Sequence, residues 1–237
     1  MPLVDLRRDG DVFVLTMRAG ENRFNRASVN ALNEVLDTVE ASTGPAALVT
    51  VGEDKFFSNG LDLTWMAGDG SHEAGRFVGD VMRLLGRFLV LPVPTVAAIN
   101  GHAFAAGGML ALAHDFRVMR VDRGFFCLPE IDIQFPLAPG MTALIACRLS
   151  PLVFRDTILT GARIGGVDAC AKGIVDEAVA ADEVLPHALA RAAALAGKDR
   201  ATYGALKRGM YGTAYDVLAG GTLGAAEDRS SSRPTRV

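Results

Sequence analysis

The stretch that decides the fold runs from Gly101 to Asp115 and reads Gly-His-Ala-Phe-Ala-Ala-Gly-Gly-Met-Leu-Ala-Leu-Ala-His-Asp. Shortly before it, residues 95–99 are apolar or β-branched over the length of a strand, which predicts a buried strand. From Ala105 onward the pattern becomes helical, and the Gly107-Gly108 pair suits a helix start packed closely against another element. Such a turn can direct free backbone N–H groups and the positive end of a helix dipole toward a ligand. Tight packing of helix on sheet would use the same residues, and the local pattern leaves both interpretations open.

The composition is that of one large folded domain, with room for a small appended subdomain. The chain has 237 residues, half of them hydrophobic, and a formal net charge of −3 at pH 7. This length and apolar content allow a substantial core, and the charge gives no reason to expect nucleic acid or an anionic membrane as a partner. The longest apolar stretch, residues 88–113, is interrupted by Pro92, Pro94 and Asn100, which is not the pattern of a membrane span.

Targeting signals and metal-ligand motifs are not visible in the sequence. The N-terminus lacks a charged start followed by an apolar core, and the C-terminus lacks a Ser-Lys-Leu ending. The cysteines Cys127, Cys147 and Cys170 are odd in number and lack metal-ligand spacing, so we expect buried, reduced thiols and no metal site. A cytoplasmic location follows as an expectation. The polar end, residues 229–237, is expected to fray.

Short apolar strands alternate with helical patterns along the chain, which predicts an α/β fold with helices against a parallel sheet. Asp9-Gly10 has the turn chemistry of a β-hairpin, and Asn25 is expected to cap the first helix. The predicted strands cover residues 4–7, 12–17, 46–51, 95–99, 116–120, 125–128 and 174–179. The predicted helices cover residues 26–41, 72–91, 139–149, 151–160 and 167–172, with two or more between 182 and 219.

A second glycine-containing loop, Gly52 to Leu63, follows the strand predicted at 46–51. It lacks the Gly-Lys-Ser/Thr ending of a Walker-type phosphate loop. Its Ser58-Asn59-Gly60 turn can present backbone N–H groups outward, although an ordinary strand-to-helix connection explains the same residues.

Glu130 is a carboxylate set among apolar residues, directly after Pro129. Desolvation in such surroundings would raise the pKa of the carboxyl group and make it a better general base near neutral pH. A solvated turn residue would fit the same sequence. Asp132 is ranked below Glu130, because it would point to the opposite face of an extended segment from Ile131.

Three features together resemble the crotonase family of enoyl-CoA hydratases and isomerases. They are the Phe57-Ser58-Asn59-Gly60-Leu61-Asp62-Leu63 loop, the Gly101 to Asp115 stretch, and Pro129-Glu130 followed by the Pro139-Gly140 helix start. Their order and separation match the family over nearly the whole chain. The resemblance implies a spiral of stacked β-β-α turns over residues 1–180. It also implies a helical C-terminal region, residues 181–237, that assembles homotrimers or hexamers.

The resemblance further implies the chemistry. Family members bind acyl-CoA thioesters and stabilise a thioester enolate with two backbone N–H groups, which by position are those of Leu61 and Ala106. Coenzyme A enters as part of the substrate, and no metal or redox cofactor is implied. Hydratases of the family use two glutamates, whereas here one of these positions is Met109 and the other is Glu130. One carboxylate can remove a proton at C2 and return it at C4, so the pattern resembles the Δ3,Δ2-enoyl-CoA isomerase branch, with fatty acid β-oxidation type chemistry.

Two other activities stay open from the sequence. A hydratase of the same family would add water to 2-enoyl-CoA. A non-catalytic acyl-CoA binding protein could have kept the fold, because members with one or no glutamate include proteins without detected turnover.

The resemblance also implies which residues bind the coenzyme A part of the substrate. The residues expected to hold the adenine and pantetheine, or to lie beside the thioester, are Arg23, Phe24, Asn25, Ser58, Asn59, Gly60, Asp62, Leu63 and Gly107. Asp62 is expected to shape the loop rather than to act as a base. Lys207 is a candidate for contact with a coenzyme A phosphate, in its own or a neighbouring subunit, and a solvated helix charge is the alternative. His102 and His114 are expected to be structural, and Trp65 and Met82 to shape an acyl pocket or the core.

Overall fold

The computed structural model describes residues 2–222 and shows helices alternating with short strands along this range. The strands are β1 (Val4–Asp9), β2 (Val12–Met17), β3 (Ala47–Gly52), β4 (Phe56–Ser58), β5 (Thr95–Ile99), β6 (His102–Phe104), β7 (Phe116–Arg120), β8 (Phe126–Cys127) and β9 (Glu177–Val179). The helices are α1 (Arg26–Ala41), α2 (Leu63–Ala67), α3 (Ala74–Val90), α4 (Ala106–Ala113), α5 (Pro139–Arg148), α6 (Pro151–Thr160), α7 (Gly166–Ala171), α8 (Val184–Leu195) and α9 (Arg200–Gly220).

The larger sheet has the strand order β1-β2-β3-β5-β7-β9. The first two strands form the expected hairpin around Gly10, whose φ of 58° suits glycine, and the remaining neighbours pair in parallel. Side chains of successive strand residues point to opposite faces of the sheet. On β3, Leu48 lies in the main core and its neighbour Val49 lies in a second core under α8, so both faces are apolar. Both faces of the sheet are therefore buried at its central strands β3 and β5, whereas the edge strands β1 and β9 are partly exposed.

A smaller parallel sheet, β4-β6-β8, repeats one connection three times. A strand of the large sheet runs into a short strand of the small sheet, and a helix follows. Gly101 makes the second such turn possible, because a Cβ there would lie 2.1 Å from the carbonyl oxygen of Lys55. The predicted α/β spiral of β-β-α turns is thereby confirmed.

Helices α1 and α3 follow the predicted ranges closely, and each buries its apolar side. Asn25 caps α1 through a capping box with Ser28, and the apolar side of that helix is buried. Helix α3 begins two residues later than predicted, because residues 71–73 form a single 3₁₀ turn. Helix α9 packs on α3 and α5, and α8 covers the second face of the large sheet. The helices after residue 180 thus pack directly on the sheet and its helices.

Several local predictions differ from the structure. Strand β6 was expected to be part of a turn, and the strand expected at 174–179 is confined to its last three residues at the sheet edge. Cys127 is buried as expected, Cys170 is half-buried, and Cys147 is exposed, so its predicted burial is wrong. The segment 229–237, expected to fray, lies outside the described residues. Within residues 2–222, the helices are too short or too polar to span a membrane.

Candidate active site

A cavity of about 320 Å³ opens where the loop after β4, the start of α4 and the turn after β8 meet. Its walls are mostly apolar, with a few polar side chains at defined places, as expected of a small-molecule site. It is lined by Arg23, Asn59, Leu61, Leu63, Phe104, Ala105, Ala106, Met109, Cys127, Pro129, Glu130, Asp132, Ile133, Phe135, Met141, Gly161 and Arg163.

The loop after β4 leaves one backbone donor free. Among residues 59–63, the N–H of Leu61 has no acceptor in the described part of the chain. The other four N–H groups donate to Glu21 O (2.9 Å), Ser58 Oγ (3.3 Å), Phe24 O (2.9 Å) and Leu61 O (3.1 Å). Buried N–H groups are normally paired, so a free one on a cavity wall is a donor available to a ligand.

The start of α4 supplies a second donor. Ala106 is the first helical residue, and its N–H has no acceptor among the described residues, as is usual at a helix N-terminus. The preceding Ala105 has φ 50° and ψ −126°, an unfavourable conformation for a residue with a Cβ. Gly60 approaches closely, since a Cβ on it would lie 3.0 Å from the Ala106 nitrogen. The two free donors therefore lie on adjoining segments of the same wall.

Glu130 is the buried carboxylate of the cavity. Its side chain lines the cavity, the residue is only 7 % exposed, and its buried Oε2 has no hydrogen-bond partner among the described residues. Desolvation raises the pKa of Glu130 to about 7, against a usual value of 4.5. The predicted raised pKa is confirmed in direction, and the alternative of a solvated turn residue is wrong.

The turn that carries Glu130 also places Asp132 on the cavity, against the prediction. Residues 130–134 are not extended, because Asp132 N and Ile133 N both donate to the carbonyl oxygen of Pro129 at 2.9 and 3.0 Å. The alternation of faces expected for a strand does not apply to a turn. Asp132 remains exposed, unlike Glu130. Met109 is buried and adds an apolar side chain to the same cavity.

The structure divides the predicted site residues into two groups. On the cavity wall lie Glu130, Leu61, Ala106, Arg23, Asn59 and Leu63. Behind the wall, and outside the lining, lie Phe24, Asn25, Ser58, Gly60, Asp62 and Gly107. Phe24 and Ser58 are buried, Asn25 caps α1, and Asp62 caps α2 by accepting the Trp65 N–H at 3.0 Å. These side chains shape the segments that carry the donors.

The two interpretations of Lys207 are both wrong. Lys207 is 3 % exposed, and its Nζ lies 2.9 Å from Oδ1 of Asp115. The other oxygen of this carboxylate, Oδ2, accepts hydrogen bonds from Thr95 and Tyr203. A lysine held in this way cannot be a solvated charge or contact a phosphate in this conformation. The buried pair instead joins α9 to the segment after α4.

The histidines and the suggested pocket residues are structural within the described chain. His114 is fully buried between Leu110 O and Thr50 Oγ1, both at 2.8 Å, and burial lowers its pKa to about 3. His102 does not line the cavity and packs among the rings of Phe56, Phe104 and Phe125. Met82 is in the core, and Trp65 packs edge-on against Phe77 at its margin.

Sequence reasoning missed the residues that complete the cavity from the side of α6. Arg163 reaches it with its guanidinium 5.7 Å from the Phe104 ring, and the buried Cys127 thiol donates to Gly161 O at 3.2 Å. Burial raises the pKa of Cys127 to about 11, so it is a neutral wall residue at pH 7. No motif in the sequence marks Arg163 or Cys127 as a cavity residue. Within residues 2–222, no cluster of His, Cys, Asp and Glu is arranged to hold a metal ion.

Comparison with known proteins decides the family. The model of the enoyl-CoA hydratase/isomerase family matches residues 7–227. The chain belongs to this family. It is 36 % identical over 216 residues to enoyl-CoA delta isomerase 3 of Arabidopsis thaliana, covering 87 % of this chain and 91 % of that protein. It is 38 % identical to the peroxisomal enoyl-CoA delta isomerase 2 of the same plant, over 73 % of this chain and 75 % of the relative.

Other matches are to proteins with other names. Carnitinyl-CoA dehydratase of Escherichia coli is 31 % identical over 77 % of this chain and 70 % of its own. A probable enoyl-CoA hydratase structure from Mycobacterium tuberculosis has a TM-score of 0.87 at 25 % identity, with 96 % of both chains covered. The human mitochondrial Δ3-Δ2-enoyl-CoA isomerase structure has a TM-score of 0.85 at 21 % identity over 92 % and 86 % of the chains, which shows the shared fold.

Proposed function

We propose that this protein is an enoyl-CoA isomerase that moves the double bond of a 3-enoyl-CoA to the 2-position through a thioester enolate. The observation that carries the proposal is one buried carboxylate, Glu130, facing a largely apolar cavity that also holds two free backbone donors. Relatives that cover most of the chain are named enoyl-CoA delta isomerases, which agrees with it.

Each proposed role follows from the chemistry of the group. The Leu61 and Ala106 N–H groups bind the thioester oxygen, and they stabilise it more as negative charge develops in the enolate. Glu130, as a carboxylate, removes a proton from C2 and returns it at C4. Its Oε2, which has no hydrogen-bond partner among the described residues, is free to take that proton, and a pKa near 7 makes removal and return comparably easy at neutral pH. No metal or redox group takes part.

The coenzyme A moiety is proposed to leave the cavity past Arg23, Asn59 and Leu63. Glu21 holds two of these side chains, since its Oε2 accepts from Arg23 Nε at 2.6 Å and from Asn59 Nδ2 at 2.8 Å. A homotrimer or hexamer is the proposed assembly. The cytoplasm is the proposed location, although two of the isomerase relatives are named peroxisomal.

The proposal is tested with Glu130→Gln and, as a matched control on the same turn, Asp132→Asn. Each removes one carboxylate that borders the cavity. We expect Glu130→Gln to lower isomerase turnover by ~100-fold or more, with thioester binding nearly intact, because general-base catalysis contributes on this scale. Asp132→Asn should keep most of the turnover. Unchanged turnover in Glu130→Gln would exclude the assignment.

Hydration of 2-enoyl-CoA is the second candidate, because Asp132 supplies a further carboxylate on the cavity wall. Two carboxylates can hold and polarise a water while a proton reaches the α-carbon. One preparation assayed on 3-enoyl-CoA and on 2-enoyl-CoA separates the two. A rate of 3-hydroxyacyl-CoA formation that equals isomerisation, and that is lost in Asp132→Asn, favours the hydratase. Binding of both thioesters without reaction favours the non-catalytic alternative.

A further inference from the structure

Two buried polar residues outside the cavity lining, Asn22 and Ser58, contact the loop that carries Leu61. Asn22 is 4 % exposed and Ser58 is fully buried, so neither side chain reaches a substrate. Buried polar groups are costly unless they are hydrogen-bonded, and these two bond to backbone atoms around the cavity. Their partners show what the pair does.

Asn22 joins the loop before α1 to strand β4. Its Oδ1 accepts the Ala19 N–H at 2.8 Å, and its Nδ2 donates to Phe57 O at 3.1 Å and to Phe56 O at 3.3 Å. Its own carbonyl oxygen accepts the hydroxyl of Ser58 at 2.8 Å. Asn22 has φ 50°, so its backbone is held in a conformation that few residue types tolerate. The segment before α1 is thereby fixed against β4.

Ser58 contacts the chain on both sides of the proposed oxyanion site. Its Oγ accepts the N–H of Gly60, the residue before Leu61, at 3.3 Å. Its backbone and Cβ pack against Gly107, the residue after Ala106: a Cβ on Gly107 would lie 2.3 Å from Ser58 O and 2.7 Å from Ser58 Cβ. One residue therefore borders the segments of both free donors.

We propose that Ser58, supported by Asn22, is a positioning residue that sets the separation and direction of the Leu61 and Ala106 N–H groups. This rests on the proposed function, in which both groups bind the enolate oxygen. Oxyanion-hole donors act at about 2.7–3.1 Å from the oxyanion. A small displacement of a donor reduces the stabilisation of the transition state more than the binding of the substrate. The Ser58 hydroxyl accepts the N–H of Gly60, the residue before Leu61. It thereby holds the loop in the conformation in which the N–H of Leu61 remains without an acceptor.

Ser58→Ala tests the hydroxyl alone, because the Cβ that packs against Gly107 is retained. We expect kcat for 3-enoyl-CoA isomerisation to fall ~10- to 100-fold, with KM changed by less than about twofold. Thr50→Val is the matched control. It removes another fully buried hydroxyl, which bonds His114 away from the cavity, and should leave kcat unchanged.

A direct readout of the donors is the carbonyl stretching frequency of a bound saturated acyl-CoA labelled with ¹³C at the thioester. The wild type and Thr50→Val should shift this frequency to lower values than in free ligand, and Ser58→Ala should shift it less. Asn22→Gly serves as a second variant, because glycine accepts φ 50° while the side-chain bonds are lost. It should change kcat and the frequency in the same direction, and it replaces Ser58→Ala if that variant does not fold.

The inference is overturned if the kcat of Ser58→Ala, or of Asn22→Gly in its place, equals the kcat of the control Thr50→Val. It is also overturned if the loss lies only in KM with the wild-type carbonyl frequency retained. A wild-type protein that binds the thioester without isomerising it contradicts the proposed function instead. In that case the carbonyl frequency, compared between wild type and Ser58→Ala, still decides whether Ser58 positions the donors.

Discussion

Glu130 occupies a position where ionisation is unfavourable for folding and useful for proton transfer. Burial raises the pKa of Glu130 to about 7, and its Oε2 lacks a partner in the described chain. Natural proteins keep such unfavourable groups mainly at functional sites. By the family resemblance, Met109 places an apolar side chain at the position of the second hydratase glutamate, which supports the proposed one-base chemistry.

The rate should depend on pH through this carboxyl group. The base must be ionised, so kcat/KM for isomerisation should rise about tenfold per pH unit below pH 7 and level off above it. Rates measured from pH 5 to 9 in buffers of constant ionic strength check this. A profile that is flat between pH 5 and 7 contradicts a base of raised pKa.

Glu130→Gln should also change stability, with a definite sign. Between the usual pKa of 4.5 and the folded value of about 7, the folded protein keeps a proton that the unfolded chain releases. The wild type therefore loses stability as pH rises through this window, by up to about 3 kcal/mol. Glu130→Gln should be more stable than the wild type at pH 8, with a smaller difference at pH 5. Urea unfolding at both pH values measures it, and an equal difference at both contradicts it.

At the scale of elements, the site depends on how closely the loop after β4 approaches the start of α4. A Cβ on Gly60, which has φ 78°, would lie 2.9 Å from the Ala105 Cβ and 3.0 Å from the Ala106 nitrogen. The segments of both proposed donors meet at this contact. Their separation is therefore fixed by tertiary packing rather than by either segment alone.

Gly60→Ala should push these segments apart and lower kcat by ~100-fold, because misplaced oxyanion donors act poorly. Gly44→Ala is a matched control, since Gly44 has the same φ of 78° with no atom near its Cβ position. Both variants carry the conformational strain of a left-handed alanine, and only the first carries the clash. Steady-state rates that fall equally in the two variants would contradict the account.

Lys207→Ala should destabilise the protein, because it leaves Asp115 buried without its cation. Breaking a buried pair in this way typically costs about 3–5 kcal/mol. Lys198→Ala, an exposed lysine without an ion pair among the described residues, should be nearly neutral. Denaturant unfolding of the two variants provides the comparison. A loss below about 1 kcal/mol in Lys207→Ala means that the pair does not hold α9 in place.

The elements were largely predictable from the sequence, because their signals are local. Helix α1 begins after a capping residue, and α6 ends at Gly161, whose φ of 59° is left-handed. Strand β6 was missed because three residues show no periodicity. The burial of Lys207 was missed because its partner Asp115 is distant in sequence. Asp132 was misplaced because a turn was treated as a strand.

At the scale of the whole molecule, apolar side chains remain uncovered on two outer helices. Leu152 and Leu159 on α6, and Leu206 and Met210 on α9, are each more than 60 % exposed. The family resemblance implies a homotrimer or hexamer, in which surfaces of this kind are covered. Analytical ultracentrifugation should give three or six times the chain mass of 25.0 kDa. A monomer at micromolar concentration contradicts the proposed assembly.

Enolate formation by Glu130 requires the C2–hydrogen bond to break, and the loss of a label at C2 measures this step. A 3-enoyl-CoA carrying deuterium at C2 is incubated in ordinary water with wild type or Glu130→Gln, and the label is followed by NMR. We expect the wild type to remove deuterium from C2, to water or to C4. Glu130→Gln should bind the thioester but remove the deuterium ~100-fold more slowly. Equal loss of label with both proteins, or no loss with a wild type that binds the thioester, would contradict it.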